Sequence, residues 1–284
     1  MGRFARSWAL VKLCWRVLQQ DKELVVFPIV STIAVLIVTA SFVVPGFFTG
    51  FWQGIGENGT NVGLWVLIVL FYLVEYLVII FFNAALVSAA IIRLEGGDPT
   101  LGDGLRGAWS HSGAILGYAA IAATVGLILQ LLRERAGFAG VIIAALGGMA
   151  WNIITFLVVP VLVVEDVGPI TAIKRSAALL EKTWGEQIIG SAGIGLVFGL
   201  LGLAVGVVGV ALGVLIMSAG IVALGIAVIA VAVIAIMVIS LLGATLHGIY
   251  SAAVYEYAVG GETGAFDRET LAAAFQPRRS RRGS

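Results

Sequence analysis

The chain has 284 residues, of which 60% are apolar and 12% charged, with a net charge of +1 and a mean hydropathy of +1.08. A soluble domain carries about 25% charged residues, so there is too little charge here to cover a water-facing surface, and the composition specifies a membrane protein. It excludes a secreted or disordered chain, a nucleic-acid binder with a basic face, and a cytosolic enzyme built on a Rossmann or barrel core.

The opening segment spreads its charges and has no small-residue cleavage site, unlike a cleavable signal peptide. Arg6 stands where a myristoylation start needs Ser or Thr. Phe4, Trp8, Val11, Trp15 and Leu18 recur at intervals of 4, 3, 4 and 3, which is one face of a helix lying in the head-group region. Cys14 is the single cysteine; it has no partner for an intramolecular disulfide and is expected to be inert. A membrane-crossing helix needs about 20 mostly apolar residues. Leu24 to Val44 is the first such run, and Val62 to Ile92, interrupted only by Glu75, is the second.

Asp98 and Pro99 then read as the N-cap and first-turn proline of a second amphipathic helix, weakened by Gly102, Gly104 and Gly107. Ser112 to Leu132 and Ala136 to Val164 are the third and fourth spans, separated by Arg133-Glu134-Arg135. Pro169 suits the first turn of a third amphipathic helix, with Ile170, Ile173, Ala177, Leu180 and Trp184 on one face. Trp8, Trp15, Trp109 and Trp184 are the expected interfacial anchors. Interfacial anchoring is one reading of these helices, and lipid-surface sensing or attachment of a partner is the other. No charge occurs between Glu186 and Glu256, a stretch that reads as two long spans with a turn near Ser218-Ala219-Gly220. The predicted fold is an all-α polytopic membrane protein of six spans, ending in a basic tail over 262–284 that is expected to be disordered.

With six spans, 15 of the 17 basic residues fall on one side of the membrane, leaving only Arg133 and Arg135 on the other. The positive-inside rule makes that richer side, with both termini, cytoplasmic.

An internal repeat underlies the spans. Arg6-Ser7-Trp8-Ala9-Leu10, ending at Trp15, aligns without gaps with Arg175-Ser176-Ala177-Ala178-Leu179, ending at Trp184. Ser88-Ala89-Ala90 with Gly96-Gly97-Asp98 corresponds to Ser251-Ala252-Ala253 with Gly260-Gly261-Glu262, and Glu165 to Pro169 echoes Glu95 to Pro99. The single membrane domain, 1–261, therefore divides into three units of about 1–97, 98–167 and 168–261, each an amphipathic helix followed by a membrane hairpin.

Four intramembrane polar residues are candidates for function. Glu75 lies ten residues beyond Trp65, a descent of about 15 Å that reaches the bilayer midplane, where an ionisable group is costly. It reads either as a protonatable or cation-coordinating carboxylate or as a carboxyl hydrogen-bonded to a neighbouring helix. Asn83, Asn152 and His247 occupy similar depths in the second, fourth and sixth spans. They either form a central cluster with Glu75 that binds a polar ligand or make interhelical hydrogen bonds. Two histidines and one cysteine do not supply a metal ligand set, and no cofactor is expected.

Gly195, Gly199, Gly202, Gly206, Gly209 and Gly213 run at intervals of 4, 3, 4, 3 and 4, a small-residue face that permits close helix approach. Packing within the chain is one use; homo-oligomerisation, docking of a membrane partner or a sliding contact is the other. HExxH, GxSxG and GxxxxGK[ST] signatures are absent from the sequence, and a non-enzymatic protein is expected.

The segment VPVLVVEDVGPITAIKRSAALLEKTWGEQIIGS combines a proline-valine pair, an acidic residue, an Ala-Ile-Lys-Arg-Ser run, paired leucines and Lys-Thr-Trp-Gly. It resembles a family of uncharacterised prokaryotic six-span membrane proteins described only as a domain of unknown function, and FARSWALVKLCWRVLQQDKELVVFPIVS resembles that family's N-terminus. The chain is also distantly similar to the membrane domain attached to some glycerophosphodiester phosphodiesterases, whose hydrolase is a separate domain absent here. The resemblance implies a prokaryotic plasma membrane and no established activity. Two functions follow as expectations: a structural, assembly or accessory role, or a transport or lipid-handling role centred on Glu75.

Overall fold

The computed structural model describes residues 12, 14–48, 62–135, 137–182 and 187–260. Phe4, Trp8, Trp184 and the tail 262–284 lie outside the described residues. A single 3-10 turn, Lys22–Val25, leads into α1 (Val26–Phe48). There follow α2 (Val62–Leu94), α3 (Leu101–Ser110), α4 (Ser112–Arg135), α5 (Gly137–Ile154), α6 (Val158–Val164), α7 (Pro169–Lys182), α8 (Gln187–Ser218) and α9 (Val222–Val259). Every regular element among the described residues is helical, and six segments are long and apolar enough to cross a bilayer: Lys22–Phe48, Val62–Leu94, Ser112–Arg135, Gly137–Val164, Val197–Ser218 and Val222–Val259. The uncharged stretch after Glu186 holds two helices rather than three, and they reverse at Gly220, whose φ of +87° suits a residue without a side chain.

α2 is the hub, packed against α1, α3, α4, α6 and α9. Its last turns are built from small residues, with Ala84, Ala85, Ala89 and Ala90 all fully buried. Lipid is as apolar as leucine, so helices in a membrane associate through close packing of such residues rather than through burial from water. A side chain at Gly104 of α3 would meet the Ala85 carbonyl and the Phe27 ring, and one at Gly248 of α9 would run into Leu86. The glycines that weaken α3 as an isolated helix are thus what lets it lie against α2.

Burial is concentrated at this one end. Cys14, Val17 and Leu18, the end of α2, Ile115 and Ala119 of α4, α6, Leu179 of α7 and, from α9, Leu246, Ile249, Tyr250 and residues 252–255 form its core. Trp15 faces outward although the spacing puts it on the apolar stripe, because the buried face of residues 14–20 is set by Cys14, Val17 and Leu18. Burial pushes the Cys14 thiol up to about 12, so it stays protonated and unreactive. Asp21 binds the Arg93 guanidinium through two hydrogen bonds, and Arg93 also reaches Asp98 at 2.8 Å, fastening the N-terminal segment to the hub. Gly96, Asp166 and Gly260 follow the ends of α2, α6 and α9, and all three have left-handed backbone.

Several local expectations are corrected. α3 starts at Leu101, not at Pro99: Thr100 is its N-cap, accepting from the Asp103 N–H at 3.2 Å while Asp103 accepts from the Thr100 N–H at 3.1 Å. This reciprocal capping box satisfies two first-turn donors at once and outcompetes the Asp98-Pro99 start. The same Thr100 bonds, with Arg106 close by, hold the Asp103 carboxyl below its usual range. Arg133-Glu134-Arg135 is not a loop but the last turn of α4; cations suit a helix C-terminus, and the reversal falls at Gly137 (φ +55°). On α7 the buried face runs through Ala172, Ser176, Leu179 and Leu180, leaving Ile170 exposed.

The fourth span is not one helix. Pro160 has no N–H to give to the Phe156 carbonyl, and the chain passes from α5 to α6 through a tight turn at 155–157. An unpaired backbone group at membrane depth is costly. Ser176 of α7 removes that cost by donating to the Ile154 carbonyl at 2.7 Å and accepting from the Leu157 N–H at 3.1 Å. Its neighbour Arg175 pairs with Glu165 at the end of α6 (3.0 and 3.1 Å), which also accepts from the Tyr255 hydroxyl at 3.2 Å. The Arg-Ser pair of the resemblance motif is therefore the fastening of a broken helix.

The glycine face is divided. A side chain at Gly209 would run into Ala232, one at Gly213 into Ile229, and one at Gly206 would come within 3.3 Å of Ile236; this half is the seam between α8 and α9. Gly195, Gly199 and Gly202 would meet nothing within 4 Å. α8 packs almost wholly on α9.

Two outcomes follow. Ser176→Ala strands the buried Leu157 N–H at about 1–3 kcal/mol and frees the half-buried Ile154 carbonyl, so its thermal unfolding in detergent should fall clearly below wild type, whereas Ser110→Ala, which removes an exposed hydroxyl, should not change it. Gly209→Leu should collapse the yield of folded protein by splitting the α8–α9 seam, and Gly202→Leu should elute as folded protein in size-exclusion chromatography.

Candidate functional site

Three of the four predicted polar residues meet. Asn83 of α2, Asn152 of α5 and His247 of α9 line one cavity of about 900 Å³, together with Tyr118, Thr155 and Phe156. Arg93, Glu165 and Glu256 mark the charged end of their helices. Counting back ten residues from Arg93 to Asn83 and nine from Glu256 to His247 puts these two roughly 13–15 Å deeper, near the middle of a hydrocarbon core about 30 Å thick, and Asn152 lines the same cavity 13 residues before Glu165. Among the described residues, none of the three side chains hydrogen-bonds to the protein. Interhelical bonding between them is therefore not what the structure holds.

The helix break shapes this cavity. By turning the chain at 155–157, Pro160 and Ser176 place the Phe156 ring nearly perpendicular to that of His247 (5.4 Å between ring centres) and against Tyr250 at 5.9 Å. The imidazole is thus packed on an aromatic ring while both its nitrogens stay free for another partner. Thr155 donates to the Trp151 carbonyl at 2.7 Å, so its hydroxyl belongs to the wall. Sequence reasoning missed Tyr118, Thr155 and Phe156. Pro160, inside the hydrophobic run that ends at Val164, was the available sign that the span is interrupted there.

Glu75 does not join the cluster. It lies eight residues before Asn83, about 12 Å along α2 and turned about 80° around it, and it lines neither of the cavities beside Asn83. Its carboxylate accepts from the Thr39 hydroxyl of α1 at 2.6 Å, and the same hydroxyl is 2.9 Å from the Val35 carbonyl. Glu75 is thus a link between α1 and α2.

A second cavity, of about 490 Å³, lies on the other side of the α2–α9 contact, between α1, α2, α8 and α9. Asn83 and His247 line it too, as do Gly195 and Gly199 from the open half of the glycine face. Trp109 is exposed at the end of α3, with the Phe81 ring nearly perpendicular to it at 6.1 Å. Among the described residues no three His, Cys, Asp or Glu side chains stand close enough to hold a metal ion.

Comparison with known proteins gives a match over residues 62–266 to a family of unknown function (DUF6159). No curated protein and no solved structure matches the chain, and the likeness to the membrane domain of glycerophosphodiester phosphodiesterases receives no support from either search. The match runs from the start of α2 past the end of α9, taking in the hub, the broken fourth span and all three residues of the polar cavity, and this chain belongs to that family of unknown function.

Proposed function

We propose that this chain is a non-enzymatic, lipid-handling membrane protein that binds the polar part of a bilayer amphiphile in the cavity of Asn83, Asn152 and His247. The observation that carries the reading is the convergence of three polar side chains, from three different helices, on one intramembrane cavity without a partner in the protein. An unpaired amide in an apolar medium costs roughly 2–7 kcal/mol, a cost that a bound hydrogen-bonding group removes. Intramembrane pockets of this kind mark ligand sites. The amides and the imidazole are suited to hold and orient a ligand.

An accessory or assembly role is the second reading, favoured by the one-sided packing of α8 and the exposed glycines 195, 199 and 202. In that case Gly202→Leu changes the oligomer size.

We place the chain in a prokaryotic plasma membrane with the packed end and both termini in the cytoplasm. Support comes from the charge distribution: Arg93, Arg106, Lys174 and Arg175 belong to the packed end, while Arg133 and Arg135 end α4, matching the asymmetry that sets orientation.

Two measurements test these readings. Purified into nanodiscs of bacterial lipid extract, the wild type is expected to retain a lipid detectable by native mass spectrometry. The triple variant Asn83→Leu, Asn152→Leu, His247→Leu is expected to lose it while unfolding at the same or a higher temperature, since unpaired polar groups maintained for binding cost stability. Equal lipid retention by both proteins removes the reading. For orientation, Ser280→Cys should resist a membrane-impermeant maleimide in intact cells and react after lysis; Cys14, whose thiol is buried and pushed up to about 12, gives no background.

A further inference from the structure

The second cavity is a chamber that the polar site alone does not explain. It is lined mainly by apolar groups, among them Ile79, Phe82 and Phe198, with Gly195 and Gly199 forming a wall of bare backbone. Neither cavity has an Asp, Glu, Lys or Arg in its lining. Asn83 and His247 belong to both, so the head-binding cavity and the apolar chamber share one polar partition contributed by α2 and α9. Gly199 of α8 and Ala244 of α9 are exposed although they line the chamber. α8 packs almost wholly on α9 rather than on α1, so the chamber opens sideways, towards the bilayer.

From these features we infer that the two cavities form one site for an uncharged, single-chain amphiphile. Its hydroxyl or ester head sits among Asn83, Asn152 and His247, and its acyl chain lies in the chamber between α1, α2, α8 and α9 along Gly195 and Gly199. The inference rests on the lipid-binding reading and extends it by naming the ligand class and the place of its chain. The chemistry argues for both parts. A phosphate brought to this depth would find no cation in either lining, and an uncompensated buried charge is strongly disfavoured, whereas amides and an imidazole match the donors and acceptors of a glycerol or alcohol head. Both volumes lie in the range of about 300–1,000 Å³ typical of small-molecule sites. The open glycines gain a role: a Cβ at Gly195 or Gly199 would meet nothing within 4 Å, leaving the groove free for a chain from the bilayer.

The test is a native mass spectrometry titration of the full-length protein in detergent with a short-chain and a long-chain monoacylglycerol, and with the lysophosphatidic acid of the longer chain. The long-chain monoacylglycerol should bind about tenfold or more tighter than the short one, and the anionic lipid about tenfold weaker than its neutral counterpart. Gly199→Leu, which fills the chamber, should reduce long-chain binding to the short-chain level and so abolish the chain-length preference; Ala244→Leu makes the same test from α9 if the first variant does not fold. A chain-length preference that survives these substitutions overturns the assignment of the chamber while leaving the lipid-binding reading standing. Anionic binding as tight as neutral overturns the uncharged head. Absence of binding by every probe to the wild type overturns both the inference and the reading beneath it.

Discussion

Close contact between α2 and its neighbours is the constraint on which everything else rests. In a bilayer the hydrophobic effect does not drive helices together, so association depends on how closely backbones can approach. The last turns of α2 meet that need with Ala84, Ala85, Ala89 and Ala90, and the facing helices answer with Gly104 and Gly248. Because the small residues are confined to one end, so is the dense core. Beyond it the spans present large apolar side chains outward, as Ile37, Leu146, Leu203 and Ile234 do, which is the surface lipid solvates best. The cavities lie at the boundary between these regimes, where the helices begin to part.

The second constraint is backbone satisfaction. A soluble protein can leave an interrupted helix to water, but at membrane depth the freed groups must be met by the protein. The interruption at 155–157 is met by Ser176, from a helix that lies against the span rather than in it. α7 is therefore more than an interfacial anchor. With Ser176 at the break and Arg175 on Glu165, it holds the fourth span in the shape that aims Phe156 at His247, linking the most recognisable motif in the sequence to the geometry of the cavity.

Much of the fold is legible in the sequence because membrane spans obey a single strong rule. The six spans and the turn near Gly220 follow from run length, charge and chain-reversal residues. What could not be read depends on comparison between segments. Stripe faces on residues 14–20 and α7 are rotated from expectation because small residues such as Ala172 and Ser176, invisible to an apolar count, define the contact. The α3 start lies two residues later than expected because a Thr-Asp capping box competes with the Asp-Pro pair before it. In the site, depth alone was enough to bring Asn83, Asn152 and His247 together, since three helices ending at one level carry them at similar distances from that level. Depth could not place Glu75, where a rotation of about 80° on the same helix turns the side chain to Thr39. The hydroxyl and aromatic wall of the cavity had no sequence signal, because Tyr118 and Phe156 are ordinary residues of apolar runs until the break positions them.

The central claim is that Asn83, Asn152 and His247 are unpaired within the protein because they serve a ligand. An experimental structure determined in lipid nanodiscs tests it most directly. The account predicts elongated density in the cavity, with a polar end at hydrogen-bonding distance, about 2.7–3.2 Å, from these three side chains and an apolar end running towards Gly199. A collapsed cavity in which the three side chains hydrogen-bond to one another across α2, α5 and α9 would contradict it.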